Sequence, residues 1–281
     1  MGNSLDWLLR FPPLLWCKTQ FETMLINALS CGPVPRHIAL VMDGNRRYAR
    51  KNRLETAEGH ALGFESLKGV LEVCYKAGVE TVTIYAFSIE NFKRSKYEVD
   101  VLMEMAKNNL LTLCQHGDIA QQYDIRIRIL GQQGLVSEDV QREMNRAEEM
   151  TKDNTRATLN VCFPYTSRDE MTSAISKLVA RAERGEMTAQ QIEALTEADF
   201  EEQLMTVGCP DPDILIRTSG VERLSDFLLW QAGKRTMIRF VDVFWPDFDL
   251  YTFLPIVLEW QVAECRRRGT GIFGLAGVLK G

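Results

Sequence analysis

The chain has 281 residues, 46% of them hydrophobic, and a formal net charge of −5. This length is enough for one large α/β domain or two small ones, and the acidic balance argues against a protein that binds nucleic acid. No stretch stays apolar over the ~18 residues that a membrane-spanning helix needs.

Residues 1–34 form an apolar N-terminal leader that is predicted to be amphipathic. After a Pro12-Pro13 break, apolar side chains recur near helical spacing: Leu14, Leu15, Phe21, Leu25 and Ala28. Such a helix could lie on a membrane surface or pack against the body of the protein, which is the commoner fate of the pattern. Residues 35–281 are predicted to form a single domain.

Short apolar strands alternate with helices along that domain. The predicted strands are 38–42, 81–87, 125–130, 158–163, 213–216 and 237–244. The predicted helices are about 46–53, 60–77, 96–114, 137–152, 168–184, 189–194 and 198–205. Gly78 suits a helix C-cap, and Ser167 with Glu170 fits a capping box. The alternation predicts an α/β fold with a mainly parallel, six-stranded sheet covered by helices.

The cysteines indicate no metal or disulfide framework. The seven of them include no C-x-x-C pair, and the three histidines offer no zinc spacing. Free thiols in a reducing compartment are the simplest interpretation.

The tail of the first strand carries polar groups that suit a phosphorylated ligand. Asp43 falls where the strand ends, Gly44 and Asn45 turn the chain, and Arg46 and Arg47 open a helix. A helix start and arginines attract anionic oxygens, and a carboxylate can hold an accompanying Mg²⁺. Taken alone, the aspartate could equally be a turn former or a helix N-cap.

The tails of other strands strengthen this interpretation, because ligands gather at the carboxyl ends of parallel strands. The second strand runs into Ser88, Glu90, Asn91 and Arg94, and the fifth runs into Arg217, followed by Arg223 and Ser225. One exposed arginine is usually an ion pair worth little. Several arginines at one end of one sheet indicate an anion site.

Several motifs, in order, resemble the cis-prenyltransferase (undecaprenyl diphosphate synthase) family over about residues 35–265. They are Met-Asp-Gly-Asn-Arg-Arg-Tyr-Ala at 42–49, Glu-Gly-His at 58–60, Tyr-Ala-Phe-Ser-Ile-Glu-Asn-Phe-Lys-Arg at 85–94, Leu-Asn-Val-Cys-Phe-Pro-Tyr at 159–165, Ile-Arg-Thr-Ser-Gly at 216–220 and Arg-Leu-Ser-Asp-Phe-Leu-Leu-Trp-Gln at 223–231. The resemblance is strongest to the eukaryotic, and especially the fungal, members that make dehydrodolichyl diphosphate.

The resemblance implies that isopentenyl diphosphate is condensed repeatedly onto farnesyl diphosphate, with Z double bonds and Mg²⁺, for dolichol synthesis and protein glycosylation. It implies that Asp43 handles Mg²⁺ and the allylic diphosphate and that Asn91 helps proton loss. The allylic diphosphate would be surrounded by Gly44, Asn45, Arg46, Arg47 and His60. Isopentenyl diphosphate would be held by Arg94, Arg217, Arg223 and Ser225, with Ser88 and Glu90 between the two substrates.

The product of such a reaction needs an apolar tunnel, and two helical faces could line it. They are Val70, Leu71, Val73 and Cys74 on one helix and Val101, Leu102, Met103 and Met105 on another. Ordinary core packing is the alternative for most of these residues.

The chain departs from the bacterial members of the family at three points. Thr56 replaces an arginine four residues before the motif histidine, and no glutamate lies between Trp230-Gln231 and Trp245-Pro246. The C-terminal Arg-x-Gly motif is matched only by Arg267-Arg268-Gly269, which also reads as a basic helix end with a glycine cap.

Three hypotheses follow for the activity. The leading one is a Mg²⁺-dependent prenyl elongase that works as a homodimer or as a heteromer with a divergent cis-prenyltransferase-like subunit. The second is that the chain is itself a non-catalytic partner, and the third is a phosphohydrolase with Asp43 as nucleophile. The resemblance further implies peripheral contact with the cytosolic face of the endoplasmic reticulum or with lipid droplets.

Overall fold

The computed structural model describes residues 12–114 and 118–269. In chain order the helices and strands are α1 (Pro12–Leu29), β1 (His37–Val41), α2 (Asn45–Asn52), α3 (Thr56–Ala77), β2 (Thr81–Tyr85), α4 (Lys96–Cys114), α5 (Ile119–Gln122), β3 (Ile125–Leu130), α6 (Glu138–Met150), β4 (Ala157–Cys162), α7 (Ser167–Glu183), α8 (Ala189–Glu193), α9 (Glu197–Glu201), β5 (Ile214–Arg217), β6 (Met237–Phe240) and α10 (Leu250–Arg268).

The six strands form one sheet in the order β3-β4-β2-β1-β5-β6, and all five neighbouring pairs are parallel. Every residue of β1 and β5 is buried, as expected for central strands covered on both faces. The predicted α/β fold with a six-stranded sheet is therefore confirmed.

Successive residues of the central strand face opposite sides of the sheet. Ile38 and Leu40 pack with α3, α4, α6 and α10 in the larger core, whereas Ala39 and Val41 pack with Phe227 and Leu228 in a smaller one. This alternation follows from the two-residue period of a strand. Because both faces of β1 are buried, the run from Ile38 to Val41 contains no polar residue.

The predicted elements are largely confirmed, with four corrections. The strand predicted over 237–244 ends at Phe240, because the chain then turns toward the tail of β1 and Trp245 N–H bonds to the Asp43 carbonyl. The helix predicted from residue 60 already begins at Thr56, where Glu55 and Glu58 form a capping box. Helices α5 and α10 were not predicted, and α10 contains Pro255.

The capping box predicted for Ser167 and Glu170 is wrong. Ser167 is the first residue of α7 and its hydroxyl accepts the Leu229 N–H. Glu170 is 1% exposed and accepts hydrogen bonds from Tyr165, Gln231 and the Met205 N–H. Its carboxylate therefore ties α7 to neighbouring segments and does not cap the helix. Gly78, in contrast, ends α3 with φ of 98°, as predicted.

The leader contains a helix that packs on the domain by one face. Ile26 and Leu29 are buried, and the Leu29 carbonyl accepts a bond from Gln261 of α10. Trp16, Phe21 and Met24 are exposed on the opposite side. Residues 1–11 lie outside the described part of the chain. Over residues 12–114 and 118–269, no helix is long and apolar enough to cross a bilayer.

Candidate active site

The polar site lies at the carboxyl ends of β1 and β5, which are neighbours at the centre of the sheet. After β1 the chain moves to β2 on one side, and after β5 it moves to β6 on the other. Connections that leave in opposite directions open a crevice between two parallel strands, and this is where open α/β sheets bind ligands. Strand order alone therefore brings the tails that carry Asp43 and Arg217 together.

An ion pair between these two tails forms the centre of the site. Arg217 Nη2 lies 2.8 Å from Asp43 Oδ2, and the side chain of Arg217 is only 4% exposed. Arg47 Nη2 lies 3.6 Å from the same carboxylate oxygen. Asp43 thus faces two guanidinium groups, one from the next helical turn and one from a residue 174 positions along the chain.

The backbone of Asp43 is fixed by Thr218. The Thr218 hydroxyl donates to the Asp43 carbonyl at 2.6 Å and accepts the Asp43 N–H at 3.0 Å. Thr218 is 1% exposed, so this reciprocal pair is shielded from water. It locks the tails of β1 and β5 together and sets the register in which Asp43 and Arg217 meet.

Arg217 also holds the loop that follows β5. Its Nη1 donates to the Arg223 carbonyl at 2.6 Å and to Ser225 Oγ at 2.5 Å. Arg223 Nε reaches the same hydroxyl at 3.3 Å. One guanidinium group therefore joins the carboxylate of Asp43 to the loop that carries Arg223 and Ser225.

The pKa of Asp43 is held below its usual value. Burial alone would raise this pKa, but the hydrogen bond and charge of Arg217, the charge of Arg47 and the Gly44 N–H together outweigh burial. Asp43 is therefore a carboxylate at neutral pH and can act as a ligand for a cation.

The start of α2 approaches other segments unusually closely. Gly44 has φ of 110°, and a Cβ there would lie 2.9 Å from the Phe244 ring. A Cβ on Gly63 of α3 would lie 2.3 Å from Asn45 Oδ1 and 3.0 Å from Trp245. The indole of Trp245 donates to the Gly63 carbonyl at 2.7 Å. Gly63 therefore allows Asn45 to enter the site, and a larger side chain would displace it.

Arg47 is oriented by contacts with the tails of β5 and β6. Its guanidinium group donates to the Ser219 carbonyl at 3.1 Å and to the Ser219 hydroxyl, and it lies 5.5 Å from the centre of the Phe244 ring. This contact with an aromatic face limits the directions in which the guanidinium group can point.

The segment after β2 forms a short 3₁₀ turn, Ile89–Lys93. The Ser88 hydroxyl accepts the Glu90 N–H at 3.2 Å, and Asn91 Oδ1 accepts the Ser88 N–H at 3.0 Å. The Glu90 carboxylate pairs with Lys93. This local capping box places Ser88 and Asn91 against the cavity in a defined orientation.

A second cationic group surrounds His60. Burial, then the charges of Arg94 and Arg46, lower the pKa of His60 to about 4, so the imidazole is neutral at physiological pH. The pKa of Arg94 is lowered by burial and by Arg46, while Glu98 lies 3.3 Å from Arg46. Glu98 and Asp43 act on Arg94 in the opposite direction and raise its pKa, so the assignment of Arg94 to isopentenyl diphosphate stays a prediction.

One cavity of about 1260 Å³ contains all thirteen predicted residues in its lining. They are Asp43, Gly44, Asn45, Arg46, Arg47, His60, Ser88, Glu90, Asn91, Arg94, Arg217, Arg223 and Ser225. The cavity continues past an apolar wall: Phe64, Leu67, Ile84, Phe87, Leu102, Met105, Ala106, Leu110, Leu113, Val161 and Phe163. An anion-binding end thus adjoins a space suited to hydrocarbon.

The predicted lining of the apolar part is only partly correct. Leu102 and Met105 of α4 border the cavity. Val70, Leu71, Val73 and Cys74 of α3 belong to the core instead. The face of α3 that borders the cavity is one turn earlier and includes Phe64 and Leu67.

Sequence reasoning missed four charged residues in the lining, Arg50, Glu98, Arg168 and Asp226. Arg50 lies one helical turn beyond Arg46, and this spacing alone could have identified it. Arg168 is the second residue of α7, the helix that follows the tail of β4. Asp226 lies within the motif at 223–231, which could have identified it. Glu98 gave no signal in the sequence, because an isolated acidic residue on a helix is usually only solvated.

The donor set fits Mg²⁺ bound together with a phosphorylated ligand. Across the described ranges, no three His, Cys, Asp or Glu side chains gather into a metal cluster, so a cage built from protein ligands alone is absent there. Mg²⁺ instead favours one or two carboxylates combined with phosphate oxygens and waters. Asp43, one-third exposed and beside the cavity, matches that requirement.

Two polar atoms at this site have no partner, although both are buried. In the part of the chain that the structure describes, four buried side-chain atoms lack a hydrogen bond, and Asn45 Oδ1 and Arg217 Nε are two of them. Buried polar atoms are normally paired. Their concentration beside one cavity indicates that the site is built to receive a polar ligand.

The C-terminal basic stretch behaves as a helix end. Gly269 has φ of 66° and terminates α10, while Arg267 and Arg268 both pair with Glu264. These contacts support the interpretation of Arg267-Arg268-Gly269 as a basic helix end with a glycine cap.

Comparison with known proteins gives consistent matches over nearly the whole chain. A family model described as putative undecaprenyl diphosphate synthase matches residues 41–269. A dehydrodolichyl diphosphate synthase complex subunit of Schizosaccharomyces pombe is 53% identical over 262 residues, which cover 93% of this chain and 98% of that protein. A complex subunit of the same description from Homo sapiens is 40% identical, over 92% of this chain and 75% of that protein.

The fold also matches a solved structure. Lavandulyl diphosphate synthase from Lavandula x intermedia, crystallised with dimethylallyl diphosphate, aligns with a TM-score of 0.75 and 31% identity. The alignment covers 81% of this chain and 95% of that one.

Proposed function

Because the chain belongs to the undecaprenyl diphosphate synthase family of prenyltransferases, we propose that it extends farnesyl diphosphate by successive cis condensations with isopentenyl diphosphate. The product would be a polyprenyl (dehydrodolichyl) diphosphate for dolichol synthesis and protein glycosylation. The observation that carries this proposal is one cavity whose lining combines Asp43 and several arginines with a set of apolar side chains.

The group around α2 would bind the allylic diphosphate. The N-terminus of α2 and the side chains of Arg46, Arg47 and neutral His60 offer hydrogen-bond donors to phosphate oxygens. Arg94 borders the same cavity and would contribute to holding isopentenyl diphosphate. As the C–O bond of the allylic substrate breaks, negative charge grows on the leaving diphosphate, and fixed cations stabilise that charge.

The loop after β5 would bind isopentenyl diphosphate. Arg217, Arg223 and Ser225 converge within hydrogen-bonding distance of one another, and guanidinium groups match terminal phosphate oxygens. Ser88, Glu90 and Asn91 would lie between the two substrates. Asn91 would orient the carbon of isopentenyl diphosphate from which the proton is lost.

Asp43 would hold Mg²⁺ against the allylic diphosphate. When bound, this ion neutralises charge on the leaving group and so favours ionisation. The protein contributes the carboxylate, which Arg217 and Arg47 keep deprotonated. The apolar wall, from Phe64 to Phe163 in the lining, would form the tunnel that receives the growing chain and excludes water.

The assay that tests this function is direct. The purified chain, alone and with a candidate partner subunit, is incubated with farnesyl diphosphate, labelled isopentenyl diphosphate and Mg²⁺. Long labelled prenyl diphosphates are expected, and EDTA should abolish them. Release of inorganic phosphate without chain extension would instead indicate a phosphohydrolase.

The second candidate is a non-catalytic partner subunit, and the S. pombe and human relatives are described as complex subunits. The intact pairing of Asp43 with Arg217 favours a catalytic role, since a subunit without chemistry has little need of it.

We propose a homodimer, or a heteromer with a divergent subunit of the same fold. α7 offers exposed Ile175 and Val179 for such a contact. Activity only in the presence of the partner would establish the heteromer.

We further propose peripheral attachment to the cytosolic face of the endoplasmic reticulum or to lipid droplets through α1. The exposed Trp16, Phe21 and Met24 lie within an arc of about 140° on the helix surface. Ile26 and Leu29 face the other way, into the domain. A few apolar side chains give reversible attachment to a bilayer, which would help a long prenyl product to leave.

A triple variant, Trp16→Gln, Phe21→Gln and Met24→Gln, is expected to bind liposomes at least about tenfold more weakly than the parent chain. Each of these side chains would otherwise bury apolar surface worth about 1.5–3 kcal/mol. Flotation with liposomes measures the effect. The matched control, Ile192→Gln with Leu195→Gln, removes exposed apolar side chains elsewhere. Equal flotation of the triple variant and the parent would refute the attachment.

A further inference from the structure

The loop after β5 adopts a backbone conformation that its residues do not favour. Ser225, Asp226 and Leu228 have φ of 53°, 63° and 44°, and none of them is glycine. Left-handed conformations are costly for residues with a Cβ, above all for Leu, and persist only where surrounding contacts impose them. The loop is therefore held in place from outside.

The contacts that impose this conformation come from the start of α7. The Asp226 carbonyl accepts the Ser167 N–H at 2.8 Å. The Asp226 carboxylate accepts the Arg168 N–H at 3.0 Å and Arg168 Nε at 2.8 Å. Three residues after Asp226, the Leu229 N–H donates to Ser167 Oγ at 2.7 Å. The side chain of Asp226 is 11% exposed, whereas that of Arg168 is 72% exposed.

Ser225, immediately before Asp226, connects the contacts with α7 to the polar site. Its hydroxyl lies between Arg217 and Arg223, and its carbonyl accepts a hydrogen bond from Tyr85 at 3.2 Å. A shift of Asp226 would move Ser225, and both arginines would lose the hydroxyl that they share. The contacts at the start of α7 thus fix the position of Ser225, which bonds to Arg217, and Arg217 in turn bonds to Asp43.

We propose that Arg168 and Asp226 are positioning residues that fix Ser225, Arg217 and Arg223 in the geometry that binds isopentenyl diphosphate. This inference rests on the proposed function for the identity of the substrate. The anchoring itself rests only on the contacts between α7 and the loop. Arg168 and Asp226 act together as one unit, because each is oriented by the other.

The test is a double-mutant cycle with Arg168→Gln and Asp226→Asn. Asparagine tolerates the left-handed conformation, so the backbone is not strained further. Each single variant is expected to raise KM for isopentenyl diphosphate about tenfold and to leave KM for farnesyl diphosphate within about twofold. The double variant should resemble the singles, because coupled residues are not additive. A hundredfold increase in the double variant would overturn the shared role.

A third variant, Asp226→Gly, separates positioning from stability. Glycine adopts positive φ freely, so thermal stability should change little while KM for isopentenyl diphosphate rises at least tenfold. Amide hydrogen exchange at Arg168 and Leu229 should accelerate, and this readout needs no substrate. Unchanged exchange together with an unchanged KM would refute the proposal.

Arg184→Gln is the matched control, since Arg184 also makes an exposed ion pair, with Glu186 at the far end of α7. It should change neither KM. If the unmutated chain and its partner gave no prenyl product, the proposed function would fail, while the exchange measurements would still decide whether Asp226 anchors the loop.

Discussion

Asp43→Ala is expected to lower the condensation rate at least about 10³-fold, at the upper end of the losses seen when a single group that stabilises developing charge is removed. The variant loses the carboxylate that would hold Mg²⁺, and Arg217 loses the oppositely charged partner of its ion pair. Because that guanidinium group is 4% exposed, we also expect a loss of about 1–3 kcal/mol in the free energy of unfolding. Steady-state turnover and urea titration measure the two effects separately.

Asp43→Asn provides the control for packing. Its side chain has the same shape and can still accept a hydrogen bond from Arg217, so most of the stability should return. Activity should not, because a neutral amide is a poor ligand for Mg²⁺. Turnover near the parent rate in either variant, with Mg²⁺ dependence intact, would show that Asp43 is not the metal ligand.

Arg217→Ala is expected to damage both halves of the site. Its guanidinium group bonds to Asp43, to the Arg223 carbonyl and to Ser225. Loss of a charge-assisted contact with a substrate phosphate should cost about 1.5–3 kcal/mol, or roughly 10–150-fold in KM for isopentenyl diphosphate. The variant should also have a lower kcat, because the guanidinium group of Arg217 orients the carboxylate of Asp43.

Arg223→Ala separates the two roles, because Arg223 is exposed and its guanidinium group donates to the Ser225 hydroxyl. It should raise KM for isopentenyl diphosphate and leave the stability within about 0.5 kcal/mol of the parent. If Arg217→Ala instead raised KM for farnesyl diphosphate alone, the assignment of the two diphosphate groups would have to be reversed.

The position of the site could be predicted because it follows from the order of strands and their apolar patterns. The runs at Ile38 and Ile214 are too short for helices and lack polar residues, so they predict central parallel strands. Polar residues directly after such strands, here Asp43 and Arg217, must lie at one edge of the sheet. The pattern thus determined which residues meet.

Contacts between loops could not be predicted in the same way. The pair of bonds between Thr218 and the Asp43 backbone depends on the exact register of β1 and β5. The role of Asp226 depends on left-handed backbone conformations that neither Ser225 nor Leu228 indicates in the sequence. Ser167 and Glu170 fit a capping pattern, but their side chains instead accept hydrogen bonds from the Leu229 N–H and the Tyr165 hydroxyl, respectively.

Helix α10 was missed for a different reason. Pro255 and a weakly periodic distribution of apolar residues conceal it, and most of its stabilisation comes from packing of Phe253, Ile256 and Trp260 on the core. The assignment of Arg94 to isopentenyl diphosphate came from the family motifs, and it stays a prediction. In the structure the charges of Arg46, Glu98 and Asp43 all act on the pKa of Arg94.

The place of β1 in the sheet has a consequence for biosynthesis. Asp43 and Arg217 are 174 residues apart, and at about 5–20 residues per second the ribosome needs roughly 9–35 s to make the chain between them. Throughout that interval one edge of β1 has no neighbour, and an unpaired apolar edge invites aggregation. Substitutions in β5 should therefore reduce the yield of soluble protein during synthesis more than the activity of the molecules that complete folding.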